Sequence, residues 1–236
     1  MAMMSRLVPD YRALVLGASG AIGQAFVQAL RTDPGCASVV AVSRGEPLRW
    51  DLRDPPSLEA LSEHLRGALE GPLHLVIDAT GALRIDGRGP EKRLQELDAD
   101  ALMASLQVNA VGPALLLRHL SPLLARDERV IWAKLSARVG SIEDNRKGGW
   151  YGYRAAKAAL NQLLQTAAIE VARQRPQAVV AALQPGTVRS LLSQPFVGEA
   201  ASDPRDAALH LLRVIDTLEP TGRAQFVDYA GQTIPW

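Results

Sequence analysis

Short apolar runs rich in β-branched residues alternate along this chain with longer stretches of helical periodicity, and that alternation leaves few folds open. The strand candidates are Arg12 to Leu16, Val39 to Ser43, a short Leu48 to Asp51, Leu73 to Asp78, Arg129 to Leu135, Ala178 to Leu183 and Ala224 to Asp228. Helical periodicity runs near Ala21 to Arg31, Ser57 to Leu69, Glu91 to Leu124 with breaks, Trp150 to Arg173 and Pro204 to Leu218. The runs are largely apolar, as strands covered on both faces require. The predicted fold class is α/β: a single doubly wound domain over residues 1–236, with a mostly parallel seven-stranded sheet and helices on both faces. Two irregular stretches, Ser136 to Gly149 and Pro185 to Asp203, follow strands at their carboxyl ends, where open sheets of this kind bind ligands.

Composition narrows the function. Lys and Arg number 26 against 25 Asp and Glu, so a net charge of +1 gives no footprint for nucleic acid or an anionic membrane. The single cysteine, Cys36, has no partner for a disulfide or metal cluster. The four histidines, His64, His74, His119 and His210, lack ligand spacing and read as structural or solvent-facing, so no metal site is visible. The amino terminus has no signal-peptide core and no apolar run reaches the ~20 residues of a membrane helix. A soluble cytoplasmic protein acting on a small molecule is expected.

The first strand runs into G-A-S-G-A-I-G, Gly17 to Gly23, which opens an amphipathic helix. Glycines at a strand-to-helix turn let the backbone approach a pyrophosphate, which the helix N-terminus attracts. This is the Rossmann arrangement, and it nominates Gly17, Ser19, Gly20, Ala21, Ile22 and Gly23 as cofactor-binding residues. The second strand ends in Ser43-Arg44 rather than in a carboxylate. An arginine there suits the 2′-phosphate of NADP(H), although it also fits a solvated turn before Gly45. Asp51, followed by Leu52, is placed either to receive an adenine amino group or to start a helix.

Tyr153 and Lys157 stand four residues apart and therefore on one helix face. A phenol titrates near about 10, so it needs a neighbouring cation to serve as an acid at neutral pH; Lys157 supplies one and is also expected to hold the nicotinamide ribose. Taken with I-D-A-T-G (Ile77 to Gly81), V-N-A-V-G-P (Val108 to Pro113) and Q-P-G-T-V (Gln184 to Val188), the chain resembles the short-chain dehydrogenase/reductase family over nearly its whole length. Within it, S-A-R-V-G-S-I-E-D-N-R-K-G-G-W-Y-G-Y-R-A-A-K-A-A-L-N, together with P-G-T-V and the ending D-Y-A-G-Q-T-I-P-W, is similar to the group of C-factor and sniffer-type carbonyl reductases. The resemblance implies NADPH-dependent reduction of an aldehyde or ketone. It assigns the catalytic pair to Tyr153 and Lys157 and a relay water to Asn109. It also places cofactor contacts at Ala79, Thr80 and Gly81 and at Pro185, Gly186, Thr187 and Val188.

Three departures stand out. Leu16 and Ala21 alter the glycine motif, and Asp78 and Ala79 replace two asparagines that tie strands together, with Asp78 still able to accept from backbone N–H groups. The serine that in the family hydrogen-bonds the substrate carbonyl falls at Ala137. Ser136 is the first substitute and Ser141 the second; Ser136 needs a bulge or strand end to reach the substrate, because neighbouring strand side chains face opposite ways. A lost donor of this kind costs roughly 10²–10³ in rate, which keeps open a rival reading as an NADP-binding regulatory or signalling protein. Glu143 to Trp150 is expected to cross the mouth of the site, with Trp150 either lining the substrate pocket or packed under the loop. The family pairs helices between subunits, and Ala155, Ala156, Ala158 and Ala159 suit either a homodimer or homotetramer contact or the sheet.

Overall fold

The computed structural model describes residues 2–45, 48–189 and 201–236. Its element order is β1 (Tyr11–Leu16), α1 (Ala21–Arg31), β2 (Cys36–Val42), α2 (Pro55–Ala68), β3 (Leu75–Asp78), α3 (Ala99–Leu106), α4 (Gly112–Leu120), β4 (Val130–Leu135), α5 (Tyr151–Gln174), β5 (Ala178–Gln184), α6 (Pro204–Thr217) and β6 (Ala224–Asp228). The strands pair in the order β2-β1-β3-β4-β5-β6, every pair parallel. Side-chain parity divides the core. Leu14, Leu16, Val76, Val130 and Trp132 face α2, α4 and α5, while Ala13, Val15, Ile77, Ile131 and Ala133 face α1 and α6. The carboxyl ends of β1 and β3 flank the point where strand order reverses, which fixes the position of the cleft.

The sheet has six strands among the described residues, not seven. Leu48 to Asp51 forms no ladder beside the half-buried edge strand β2. Instead Trp50 is buried and its indole donates to the Ser43 carbonyl at 2.8 Å, so the segment gains its burial through one side chain rather than through strand pairing. A four-residue edge segment has little to gain from a ladder. The predicted helix over 91–124 also resolves into parts: a 3₁₀ turn at Leu94–Glu96, α3, a π-helical turn at Gln107–Val111, α4 and a last 3₁₀ turn. The run Ala99–Leu123 is long and apolar enough to cross a bilayer, yet Asn109, Ala110, Leu116, Leu117 and Leu120 are buried within the domain. Of the loop 185–203, residues 190–200 lie outside the described residues.

Candidate active site

The turn after β1 is built as the glycines suggest. Gly17 has φ +77°, and a side chain there would stand 3.0 Å from the Ala79 backbone. A Cβ on Gly23 would lie 2.2 Å from the Gly17 carbonyl oxygen, so α1 can approach the turn only with glycine at that position. Gly20 caps α1 without a side chain, leaving the N–H groups of the first turn, Ala21, Ile22 and Gly23, to outside acceptors. From this turn a cleft of ≈ 400 Å³ runs past Ser19, Arg44, Asp51, Leu52, Ala79, Thr80 and Gly81 to Val108. Its rim carries an ion pair unforeseen in the sequence, Arg53 to Asp86 at 3.0 Å, from two loops. The Asp51 carboxylate accepts from the Arg53 backbone N–H at 2.8 Å, while Ser57 bonds the Asp51 main chain just before α2.

At the other end stand Tyr153 and Lys157, on one face of α5. The Lys157 ammonium lies 5.6 Å from the centre of the Tyr153 ring and donates to the Leu135 carbonyl at 3.1 Å. A Cβ built on Gly81 would meet Asn109 Oδ1 at 3.1 Å and Lys157 Nζ at 3.6 Å, so these three residues converge at the end of the cleft. Asn109 is fully buried in the π-helical turn; its amide closes two hydrogen bonds with the Ala82 backbone, at 3.0 and 2.9 Å. Burial pushes the Tyr153 phenol up. Burial also holds the Lys157 ammonium well below the usual lysine range, with Lys134 adding to the effect and Asp78 opposing it. Both shifts run against the simple expectation that Lys157 lowers Tyr153, because in the chain alone desolvation penalises whichever form is charged.

The hydroxyl beside Tyr153 is the unusual feature. Ala137 is extended (φ −162°, ψ 146°) and offers no donor. Ser136 shares parity with Val130 and Trp132, faces α5 and donates to Asn161 Oδ1 at 2.6 Å. Ser141 is buried and accepts from the Asp144 N–H at 3.0 Å. Trp150 sits in the left-handed region at φ 56° and meets the Tyr153 ring edge-on, with centroids 6.2 Å apart. It precedes a helix with no side-chain cap of its own, and Glu91, 61 residues before Gly152, accepts from the Gly152 N–H at 3.0 Å instead. Glu91 and Tyr153, with Leu83, Ile85, Ala101 and Ser105, line a second cavity of ≈ 310 Å³. Beyond β5, Pro185 and Gly186 reach the exposed Thr187. Gly186 (φ +77°) packs its backbone against the Tyr229 ring, and Val188 is buried and bridged to Ser202.

A family model described as Enoyl-(Acyl carrier protein) reductase matches residues 18–226. The chain belongs to the short-chain dehydrogenase/reductase family. It is 30% identical over 167 residues to the C-signal of Myxococcus xanthus, covering 70% of this chain and 94% of that protein. It is also 30% identical over 189 residues to a 1-hydroxy-2-glutathionyl-2-methyl-3-butene dehydrogenase of Rhodococcus sp. (strain AD45), covering 79% and 78% of the two chains. The fold is shared with the NADPH-bound carbonyl reductase from chicken fatty liver (TM-score 0.84, 21% identity, 98% of this chain and 100% of that one). It is shared equally with the carbonyl reductase Sniffer of D. melanogaster (TM-score 0.83, 22% identity, 97% and 100%).

Sequence reasoning missed Trp50, Glu91, Asn161, the Arg53–Asp86 pair and Lys134. Only Lys134 left a signal, as a lone cation inside the apolar run V-I-W-A-K-L of a central strand.

Proposed function

We propose that this short-chain dehydrogenase/reductase uses NADP(H) to reduce a small aldehyde or ketone, with Tyr153 as proton donor. The observation that carries the reading is the convergence of Lys157 and Asn109 on Gly81 in the cleft that also holds the Gly17–Gly23 turn and Arg44, with the Tyr153 ring 5.6 Å from the Lys157 ammonium. The cofactor fits that cleft because the backbone is bare where phosphates would approach: side chains at Gly17 and Gly23 are barred by contacts of 3.0 and 2.2 Å. The turn and the first N–H groups of α1 would hold the pyrophosphate, Arg44 the 2′-phosphate, and Lys157 the nicotinamide ribose. When bound, the reduced nicotinamide supplies the hydride for the carbonyl carbon. Tyr153 gives its phenolic proton to the carbonyl oxygen, and Lys157 favours the resulting phenolate. Asn109 holds the relay that returns the proton. To polarise the carbonyl, Ser136 must exchange its bond to Asn161 for one to the substrate, or Ser141 must turn inward. NADPH-bound carbonyl reductase from chicken fatty liver and the other shared folds support the cofactor and substrate class. The exposed Ala155, Leu163 and Ile169 on α5 leave a face for pairing of two or four copies.

The test is Tyr153→Phe. We expect loss of NADPH oxidation against a panel of aldehydes and diketones with cofactor affinity nearly unchanged; wild-type turnover in this variant would sink the assignment. A second reading, an NADP-binding regulatory protein with weak turnover, is favoured by Ala137 and by the engaged Ser136 hydroxyl. It predicts tight cofactor binding, no turnover over the panel, and a Tyr153→Phe variant that still works in cells.

A further inference from the structure

Asp78 and Lys134 are cross-strand partners in the β3–β4 register, and both side chains share the parity of Val76 and Trp132, toward α5. Lys134 is 1% exposed, in the middle of the sheet. Its ammonium donates to Asp78 Oδ1 at 2.9 Å, to the Thr80 carbonyl at 2.6 Å and to Thr80 Oγ1 at 3.1 Å. Asp78 Oδ1 also accepts from the Thr80 N–H at 2.9 Å. A cation taken out of water in a strand interior is costly unless it is paired and fully bonded, and this one is. Thr80 is the residue before Gly81, the glycine against which Asn109 Oδ1 and Lys157 Nζ converge.

Resting on the reading of Tyr153 and Lys157 above, we propose that Lys134 is a positioning residue for that pair: clamped to Asp78, it fixes the Thr80–Gly81 corner and places a second cation behind Lys157. The charged and titratable groups around Lys157 are Lys134 from β4, Asp78 from β3 and Tyr153 from α5 itself. The π-helical turn and the turn after β4 contribute only the neutral Asn109 and Gly140 at this point. Added positive charge makes both Tyr153 and Lys157 release a proton more readily, and added negative charge does the reverse. The depression of Lys157 by Lys134, partly opposed by Asp78, has that sign.

The experiment is the pH dependence of NADPH oxidation with diacetyl as probe carbonyl, alongside thermal melting as a check on folding. Asp78→Asn removes the carboxylate that opposes Lys134, and, with Lys134 kept charged by its bonds to the Thr80 carbonyl and hydroxyl, its alkaline limb is expected to fall by about one unit. The double variant Asp78→Asn with Lys134→Gln is a neutral amide pair that can bond across the strands. It removes the cation whose influence on Lys157 exceeds that of Asp78, and its limb is expected to rise. Where Asp78→Asn fails to fold, the double variant decides. Limbs that stay at the wild-type position, or that move in the same direction, overturn the proposal, since a purely structural pair changes rate or melting without opposite shifts. Tyr153→Phe separates the two layers: turnover persisting there removes the pair reading and this proposal with it, whereas a dead Tyr153→Phe with unmoved limbs overturns this proposal alone.

Discussion

Gly140 offers a direct test of how closely the loop after β4 holds helix α5. An added Cβ would lie 2.8 Å from Lys157 Cβ, 2.9 Å from the Lys157 carbonyl carbon and 3.0 Å from its oxygen. Carbon–carbon contacts ordinarily sit at ~3.5–4.0 Å, so Gly140→Ala is too close by about 0.7 Å or more to atoms that are mostly backbone. Overpacking of this kind costs about 1–3 kcal/mol. The alanine restricts the unfolded chain and returns about 0.4–1 kcal/mol, because the backbone of Gly140 is not in the left-handed region. The net destabilisation of about 0–2.6 kcal/mol corresponds to a melting temperature lower by up to about 10 °C in a chain of this size. If α5 yields instead of the loop, Lys157 moves relative to Leu135 and Gly81. Turnover should then fall by about tenfold to a hundredfold, with cofactor affinity less affected. Thermal melting and steady-state NADPH oxidation measure the two effects. A variant that melts and turns over like the wild type would refute the claim that the loop sets the position of Lys157.

Two further outcomes follow from the same structure. Arg44→Ala should weaken NADPH binding about tenfold, or about 1.4 kcal/mol, while leaving NADH binding unchanged in a fluorescence titration; equal losses for both cofactors would remove Arg44 from the 2′-phosphate. Asp33 accepts from the N–H groups of Met3, Met4 and Gly35 and from the Tyr11 hydroxyl, at 2.9–3.0 Å. Burial raises its pKa, but the backbone N–H groups of Gly35, Met4 and Met3 and the Tyr11 hydroxyl bring the net shift below the ordinary 3.8. Its stabilisation is therefore complete above 3.8 and lost as pH falls through the lower folded value. Asp33→Asn should cost about 2 kcal/mol at neutral pH in urea denaturation, and the cost should shrink in acid.

The alternation of apolar runs and helical periodicity was enough to place every observed strand and the ends of α1 and β6, because period and burial on both faces are local properties of the sequence. Leu48 to Asp51 misled for the same reason: four apolar-leaning residues resemble a strand locally, but only the neighbouring edge decides whether a ladder forms. The glycine turn was legible down to Gly23, whose missing side chain reflects a 2.2 Å approach within one strand-turn-helix unit. Glu91 was not, since capping α5 from 61 residues away depends on how the loop after β3 folds back.

The sequence alone determined that a tyrosine and a lysine share a helix face behind a glycine-rich strand-to-helix turn, because helical spacing and a glycine motif act over a few residues. It also determined that no serine stands at position 137. Where the Ser136 hydroxyl points, and that Lys134 meets Asp78 beneath Lys157, were decided by tertiary structure. Those contacts depend on strand register and on which helix covers each face of the sheet, and both follow from long-range packing.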